Sequence, residues 1–192
     1  MIQEKLILAS SSPRRAEILR AAGWPFEPIA ANIDETRADD EDAVDYVLRL
    51  AQEKAEAVAA SLASGLVLAA DTTVVLDEHV LGQPADDADA RRMLKLLSGR
   101  WHEVLTGVAL MPVGQTGPPL IDHERTRVRF TEMSRGEIDW YVSTGEPRGK
   151  AGAYGIQGRA ALFIEQIEGD YFNIVGLPIR LVYELVKKLN DQ

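Results

Sequence analysis

Hydroxyl and guanidinium groups are concentrated near the start of the chain, where residues 10–15 read Ser-Ser-Ser-Pro-Arg-Arg. Serine hydroxyls, the exposed N–H groups of a helix N-terminus and arginine guanidinium groups all bind anionic oxygens. The segment therefore predicts an anion site formed by Ser10, Ser12, Arg14 and Arg15. An ordinary capped helix with two solvated arginines would have the same local pattern and is the alternative at this point.

Three further charged residues could supply acid–base or metal chemistry. Asp71 follows the apolar run 66–70 and is expected at the end of a buried strand, where ligands often bind in α/β folds. A carboxylate there could accept a proton from water or hold Mg²⁺, and the alternative is a turn or helix-capping aspartate. Lys54 falls at the edge of an apolar helical stripe, either as a snorkelling lysine or as an inward-facing ammonium. Glu35 lies in a predicted loop, and solvated loop acid is its plainest interpretation.

A glycine-rich segment over 145–158 is the last candidate for ligand binding, since it holds five of the 15 glycines in the chain. Glycine lets the backbone approach a ligand closely. Within this segment Lys150 offers a positive charge, and Gln157 offers a paired donor and acceptor that could contact the edge of a base. The glycine spacing is neither that of a Walker A loop nor that of a dinucleotide-binding fingerprint, so both of those classes are disfavoured.

Hydrophobic periodicity and capping residues indicate the elements that must position these side chains. Strands are predicted at 6–9, 66–70, 101–111, 120–130, 162–166 and 171–175, with a hairpin over 74–81. Helices are predicted from Pro13 to a stop at Gly23, over 42–62, over 86–97, from a capping box at Ser134 to an end by Gly145, and over 178–189. Helices and strands alternate irregularly and hairpins are present, which predicts an α/β fold with a mixed β-sheet and flanking helices.

Composition restricts the class of protein further. The chain has 192 residues, a formal net charge of −9 and no cysteine, which predicts one globular domain over 1–192 without disulfides or thiolate chemistry. No apolar run is long enough to cross a bilayer, and residues 1–5 do not begin a secretory signal, so we expect a cytoplasmic protein without a membrane partner. The acidic balance disfavours nucleic-acid binding, although a local cationic site could still bind a small anion.

The histidines and tryptophans form no local constellation. His79, His102 and His123 are scattered over predicted strands and turns, without metal-ligand spacing, and we interpret them as structural or exposed. Trp24, Trp101 and Trp140 are interpreted as core or surface anchors rather than as platforms for stacked bases.

Taken together, five segments resemble the Maf family of nucleoside triphosphate pyrophosphatases. They read Leu-Ala-Ser-Ser-Ser-Pro-Arg-Arg at 8–15, Ala-Ala-Asp-Thr at 69–72, Leu-Ser-Gly-Arg-Trp-His-Glu-Val-Leu-Thr-Gly-Val at 97–108, Lys-Ala-Gly-Ala-Tyr-Gly-Ile-Gln-Gly at 150–158 and Gly-Asp-Tyr-Phe-Asn-Ile-Val-Gly-Leu-Pro at 169–178. They follow one another in order and cover essentially the whole chain. The resemblance implies a Maf/ITPase-like fold, with two lobes around a central nucleotide-binding cleft.

The resemblance also implies roles for individual residues. The family hydrolyses a nucleotide to its monophosphate and pyrophosphate with a divalent cation, Mg²⁺ or Mn²⁺, and is usually homodimeric. Position by position, Asp71 resembles the proton acceptor, and Glu35 with Asp71 resembles the metal end of the site. Ser10, Arg15 and Lys54 resemble phosphate contacts, and Arg14, Thr72 and Gln157 lie at positions tied to substrate choice. Ser12, Gln83 and Lys150 are also expected to bind the substrate.

Two details bear on the substrate. The Tyr-Gly-Ile-Gln-Gly form of the glycine segment is similar to the branch that acts on dTTP and UTP, which makes Gln157 the expected reader of the pyrimidine. Gln83 stands where the family usually has lysine, and a neutral amide would weaken the hold on phosphate. The alternatives are therefore a pyrophosphatase for modified nucleotides such as 7-methyl-GTP or modified pyrimidines, and a low-turnover nucleotide-binding regulator of septum formation.

Overall fold

The computed structural model describes residues 5–114 and 117–191. Its strands are β1 (Leu6–Leu8), β2 (Phe26–Pro28), β3 (Gly65–Leu76), β4 (His79–Leu81), β5 (Trp101–Val113), β6 (Leu120–Phe130) and β7 (Ile164–Glu168). Its helices are α1 (Pro13–Ala21), α2 (Ala43–Ala59), α3 (Asp87–Leu97), α4 (Arg135–Ser143), α5 (Tyr171–Val175) and α6 (Ile179–Asn190), with 3₁₀ turns at Ala151–Ala153 and Arg159–Phe163.

The strands form one mixed sheet in the order β2-β1-β3-β5-β6-β7, with β4 paired to β3 outside that row. β1 runs parallel to both β2 and β3, whereas β3 with β4 and β6 with β7 are antiparallel. The predicted α/β class and mixed sheet are confirmed.

The described residues divide into two compact units. The first unit takes in the chain up to Asp71, Thr106–Glu124 and the chain from Gly176, and the second takes in Thr72–Leu105 and Arg125–Val175. β3, β5 and β6 contribute residues to both units.

Small residues let α2 pack closely on the sheet in the first unit. Ala51 and Ala55 of α2 meet Ala69 of β3 in a core that is closed to solvent. A Cβ atom at Gly107 of β5 would lie 2.3 Å from the carbonyl oxygen of Val47, so only glycine allows the helix backbone this close. The tight packing fixes the helix that carries Lys54.

The second unit has a larger core, and capping fixes its helices. Its buried side chains come from β3–β6, α3, α4 and the glycine-rich segment, with Tyr141 and Phe130 among the largest. α3 begins where the Asp86 carboxylate accepts a hydrogen bond from the N–H of Asp89 at 2.8 Å. α4 begins with the predicted capping box between Ser134 and Glu137.

The structure differs from the sequence expectations at β2, β3 and α5. β2 had no prediction because its three residues are too few to show a period. β3 does not end before Asp71: it continues to Leu76 because the β-branched residues at 72–75 extend it, and it then pairs with β4. Residues 171–175 are helix α5 rather than a strand, since the Asp170 carboxylate accepts from the N–H of Phe172 at 2.7 Å and begins a helical turn.

The expected turn-rich connection over 112–119 is shorter than predicted. β5 extends to Val113 and β6 begins at Leu120, and residues 115–116 of the connection lie outside the described residues. The expectation about residues 1–5 likewise falls on a segment of which 1–4 are outside them.

Candidate functional site

An ion-pair cluster in the first unit joins two buried charges to a half-exposed one. Lys54 projects from α2, where only 7% of its surface is exposed, and its ammonium donates to Asp71 Oδ1 at 2.5 Å. The same ammonium lies 2.7 Å from Glu35 Oε1. The inward-facing interpretation of Lys54 is therefore correct, and α2, β3 and the loop before α2 each contribute one charge. We call Glu35, Lys54 and Asp71 the charged cluster.

The charged cluster changes the acidity of Asp71. Burial raises the pKa of the Asp71 carboxyl above its ordinary value, and the nearby charges of Lys54 and Arg15 lower the same pKa without cancelling the effect of burial. Asp71 lies in the middle of β3 and is largely shielded from water. Its carboxylate therefore has an increased affinity for a proton. A raised pKa brings a general base closer to the pH at which it works, so this carboxylate is suited to accept a proton from water.

The predicted anion site forms a second group in the first unit. Arg15 Nη1 donates to Ser10 Oγ at 3.1 Å, and Arg15 Nε donates to the carbonyl of Gly176 at 2.8 Å. Ser10 Oγ also accepts from the N–H of Ser12 at 3.1 Å. Ser12 occupies the N-cap position of α1 with an extended backbone, but its side chain makes no capping hydrogen bond.

The charges of the two groups interact. Burial lowers the pKa of Arg15, while the negative charges of Asp71 and Glu35 raise it and the positive charge of Arg14 lowers it. Burial also lowers the pKa of Arg14. Because arginine remains protonated at every physiological pH, these residues supply fixed positive charge beside the charged cluster.

Two residues that the sequence analysis did not identify hold the loop of Glu35. The Tyr46 hydroxyl donates to the carbonyl of Glu35 at 2.9 Å. Arg49 binds the Glu41 carboxylate through two nitrogens, at 2.6 and 2.8 Å, and donates to the carbonyl of Thr36 at 3.2 Å. Both lie on α2, one turn apart, and their polarity on a helix that is otherwise apolar toward the sheet was the available signal.

The second unit contains the other predicted site residues. We call residues 149–158 the glycine loop. It packs against β3, since a Cβ atom at Gly152 would lie 2.8 Å from Val74 Cγ2, and the N–H of Gly152 donates to the carbonyl of Gly82 at 3.1 Å. The structure therefore joins the loop to the segment that bears Gln83, which is exposed. Thr72 is partly buried on β3.

Within the glycine loop, Gln157 is exposed while the neighbouring Ile156 is buried. The Lys150 ammonium donates to the carbonyl of Glu146, and the Lys150 side chain crosses the backbone at Gly155. Glu146 and Tyr141 also hold this loop, and neither was a sequence candidate because neither shows a periodic or motif signal.

The histidines have the structural or exposed positions expected of them. His102 is buried, its Nε2 lies 2.8 Å from the hydroxyl of Tyr154, and its ring meets Phe130 edge to face. Burial lowers the pKa of His102 to about 4, which keeps the ring neutral near pH 7. His79 is exposed and His123 partly so.

The residues expected at the metal end fit a hard divalent cation. Glu35 Oε1 and Asp71 Oδ1 converge on one ammonium, so they are separated by no more than the two ion-pair distances combined. Two carboxylates of this kind, completed by waters and substrate phosphates, are the ligands that Mg²⁺ prefers. Over residues 5–114 and 117–191, no group of three or more acidic, histidine or cysteine side chains provides a fuller set of ligands.

A buried general-base candidate beside fixed arginines, on a mixed α/β sheet, is suited to the hydrolysis of an anionic substrate. Related proteins of known sequence are consistent with that class of reaction. A family model described as Maf-like protein matches residues 5–189, so the chain belongs to the Maf family and the resemblance of its five segments is confirmed.

Two relatives and one solved structure are similar to the chain. It is 52% identical to a dTTP/UTP pyrophosphatase of Symbiobacterium thermophilum over 95% of this chain and 93% of that protein. It is 51% identical to a dTTP/UTP pyrophosphatase of Koribacter versatilis over 95% and 93%. The Ham1 protein of Staphylococcus aureus has a similar fold, with a TM-score of 0.50 and 13% identity over 77% of this chain and 81% of that one.

No helix among the described residues is long and apolar enough to span a bilayer.

Proposed function

We propose that this chain hydrolyses nucleoside triphosphates, with dTTP and UTP as its substrates, to the nucleoside monophosphate and pyrophosphate. The observation that carries the proposal is Asp71, a buried carboxylate of raised proton affinity held by Lys54 beside Arg15. The substrate comes from the relatives that are about half identical to the chain, which bear the name dTTP/UTP pyrophosphatase.

In the proposed reaction Asp71 accepts a proton from a water molecule. The oxygen of that water forms a bond to the α-phosphorus, the bond from this phosphorus to the bridging oxygen breaks, and pyrophosphate leaves with the electron pair. The ammonium of Lys54, which lies on Asp71 Oδ1, keeps the carboxylate oriented before the proton moves.

The positive and hydroxyl groups are assigned to the phosphates. A triphosphate carries about four negative charges, and preorganised cationic donors stabilise the charge that develops on the leaving group. Arg15, Ser10 and Ser12 already form one hydrogen-bonded group at the start of α1. We assign that group to phosphate, together with Lys54, Gln83 and Lys150, and we assign Arg14, Thr72 and Gln157 to substrate choice.

A divalent cation is part of the proposal. Glu35 and Asp71 would hold Mg²⁺ or Mn²⁺, because their carboxylate oxygens lie close together and are the ligands that these cations prefer. When bound, the cation supplies charge that offsets the triphosphate. Cytoplasmic location and a homodimer complete the proposal, and both rest on the expectations from the sequence.

A second candidate function follows from Gln83, an exposed neutral side chain where the family usually has lysine. Weaker attachment of phosphate would give a nucleotide-binding regulator with little turnover. This alternative makes a distinct prediction, since a Gln83→Lys substitution should then restore hydrolysis.

The test is pyrophosphate release from a panel of canonical and methylated nucleotides with Mg²⁺ or Mn²⁺, using wild type, Asp71→Asn and Gln83→Lys. Turnover of dTTP and UTP that Asp71→Asn abolishes is the expected result. Activity on a modified nucleotide alone would transfer the assignment to that substrate. An inactive wild type activated by Gln83→Lys would establish the regulator, and no activity in either would contradict a pyrophosphatase.

A further inference from the structure

Glu146 contacts both ends of the glycine loop. Its backbone carbonyl accepts from the ammonium of Lys150 at the start of the loop. Its carboxylate accepts from the N–H of Arg159, just beyond the end of the loop, at 3.0 Å, and from the hydroxyl of Tyr141 at 2.9 Å. Because hydrogen bonds to a charged acceptor are stronger than neutral ones, the carboxylate contributes strongly to fixing the end of this loop, while the backbone carbonyl holds its start.

Tyr141 extends this anchoring to the middle of the loop. Its hydroxyl donates to Glu146 and accepts from the N–H of Gly155 at 3.2 Å. Burial raises the pKa of the Tyr141 hydroxyl, so the proton that it donates to Glu146 stays in place over the physiological range. The tyrosine ring itself is fully buried, which fixes the position of the hydroxyl oxygen between Glu146 and Gly155.

Gln157 sits in a turn between the anchored positions. The N–H of Gly158 donates to the carbonyl of Gly155 at 3.0 Å, which closes a turn with Ile156 and Gln157 at its centre. Ile156 is buried, and Gln157 is therefore presented outward. The turn is held on one side through Tyr141 and on the other through Glu146.

The close approach of Glu146 to this turn explains the glycine at 158. A Cβ atom there would lie 2.3 Å from Glu146 Oε1 and 2.6 Å from Oε2. Any larger residue would displace the carboxylate from Tyr141 and Arg159 together. The carboxylate and the glycine therefore form one unit with the Gln157 turn.

From these contacts we propose that Glu146, acting in part through Tyr141, is a positioning residue that sets the orientation of Gln157 and thereby the choice of nucleotide base. The inference rests on the proposed function, in which Gln157 contacts the base. Glu146 touches neither phosphate nor the attacking water in that scheme, so its loss should change recognition of the base and leave the chemical step almost intact.

The test compares Glu146→Ala, Glu146→Gln and Tyr141→Phe with wild type. In Glu146→Ala we expect KM for dTTP and UTP to rise about tenfold, the preference for these nucleotides over CTP and GTP to fall by a similar factor, and kcat to stay within about twofold. Glu146→Gln keeps one acceptor and should lie between alanine and wild type. The control is Glu165→Gln, which removes the same charge from an exposed pair with Arg129 in the same unit.

Tyr141→Phe keeps the test possible if Glu146→Ala does not fold, because it removes only one oxygen atom and keeps the buried ring. It should also raise KM and reduce base preference. The double variant Tyr141→Phe with Glu146→Gln should lose less than the two single losses multiplied, because both act through one chain of hydrogen bonds.

Hydrogen–deuterium exchange of the free protein gives a readout independent of hydrolysis. Amides at 155–160 should exchange faster in the Glu146 and Tyr141 variants and at the wild-type rate in Glu165→Gln. Wild-type KM values and base preference in folded Glu146→Ala and Tyr141→Phe would overturn this inference and leave the proposed function standing. An inactive wild type would instead overturn the proposed function, and this inference with it.

Discussion

The charged cluster and the glycine loop are built on opposite principles. In the cluster, three ionised side chains from separate parts of the first unit hold one another in a mostly buried place. In the loop of the second unit, the backbone is held by hydrogen bonds from Tyr141 and Glu146 and by glycines that admit close approach. Loss of a charge should therefore affect the cluster most, whereas the loop is held largely through hydrogen bonds to backbone groups and should respond in graded steps.

The largest effect is expected for Lys54→Met. This variant leaves the buried Asp71 carboxyl without its nearest positive charge, so its pKa rises further and a smaller fraction of it is ionised and able to accept a proton at pH 7. Loss of one partner of a buried pair should destabilise the fold by about 3 kcal/mol. Urea unfolding and pyrophosphate release at pH 7 measure both effects, with the exposed Lys95→Met as control. Wild-type unfolding and activity would show that the cluster does not depend on charge.

A smaller effect is expected at His102, which supports the loop through Tyr154. Its pKa falls to about 4 in the folded protein, so protonation favours the unfolded chain as the pH decreases from about 6.5 to about 4. The stability due to neutral His102 is complete above that range and is lost within it. Between pH 7 and pH 5 this loss should be about 2 kcal/mol.

The measurement is urea unfolding of wild type, His102→Gln and the exposed control His79→Gln at the two pH values. Glutamine cannot titrate, so His102→Gln should lack that part of the pH dependence while His79→Gln retains it. Equal pH dependence in all three proteins would mean that His102 does not carry the loss.

The loop itself is tested by Gly158→Ala. The added Cβ atom would lie 2.3 Å from Glu146 Oε1, so the turn must shift, and KM for dTTP should rise about fivefold with little change in kcat. Gly136→Ala in α4 is the matched control, because a Cβ atom there has nothing nearer than Ser134 Oγ at 4.0 Å. Steady-state kinetics measure KM for dTTP in the two variants. Identical KM values in Gly158→Ala and the control would show that contact with Glu146 does not constrain the turn.

The smallest effect is expected where a charge pair is exposed. Glu165→Gln removes the partner of Arg129, with both side chains largely in water, and should change the free energy of unfolding by less than about 1 kcal/mol. Urea unfolding in low and high salt measures it. A loss as large as that of Lys54→Met would remove the distinction between buried and exposed charge on which the comparison rests.

Local sequence signals predicted much of the fold. The capping box at Ser134, the hairpin into β4 and strand β6 over 120–130 occur where the residues indicated them. The signals failed where one local contact overrides the preference of the residues that follow it. Aromatic and β-branched residues at 171–175 favour a strand, yet the capping contact of Asp170 makes them helical.

The candidate site shows the same division. Arg15, Lys54 and Asp71 could be identified from the family motifs and from their position beside apolar runs. Tyr46, Tyr141 and Glu146 could not, since each acts through a hydrogen bond to a backbone group that only the folded chain brings near. The sequence indicates the chemistry of the site more readily than the residues that hold it in place.

The most direct test of the central claim is the pH dependence of kcat/KM for dTTP hydrolysis, measured for wild type and Asp71→Asn. Because burial raises the pKa of Asp71, the wild-type activity should decrease on acidification at a pH clearly above the ordinary 3.8 of an aspartate. Asp71→Asn should lose about 10²- to 10⁴-fold in kcat, and its residual activity should lack that decrease. An Asp71→Asn protein with wild-type turnover and the same acid limb would contradict the assignment of Asp71 as the proton acceptor.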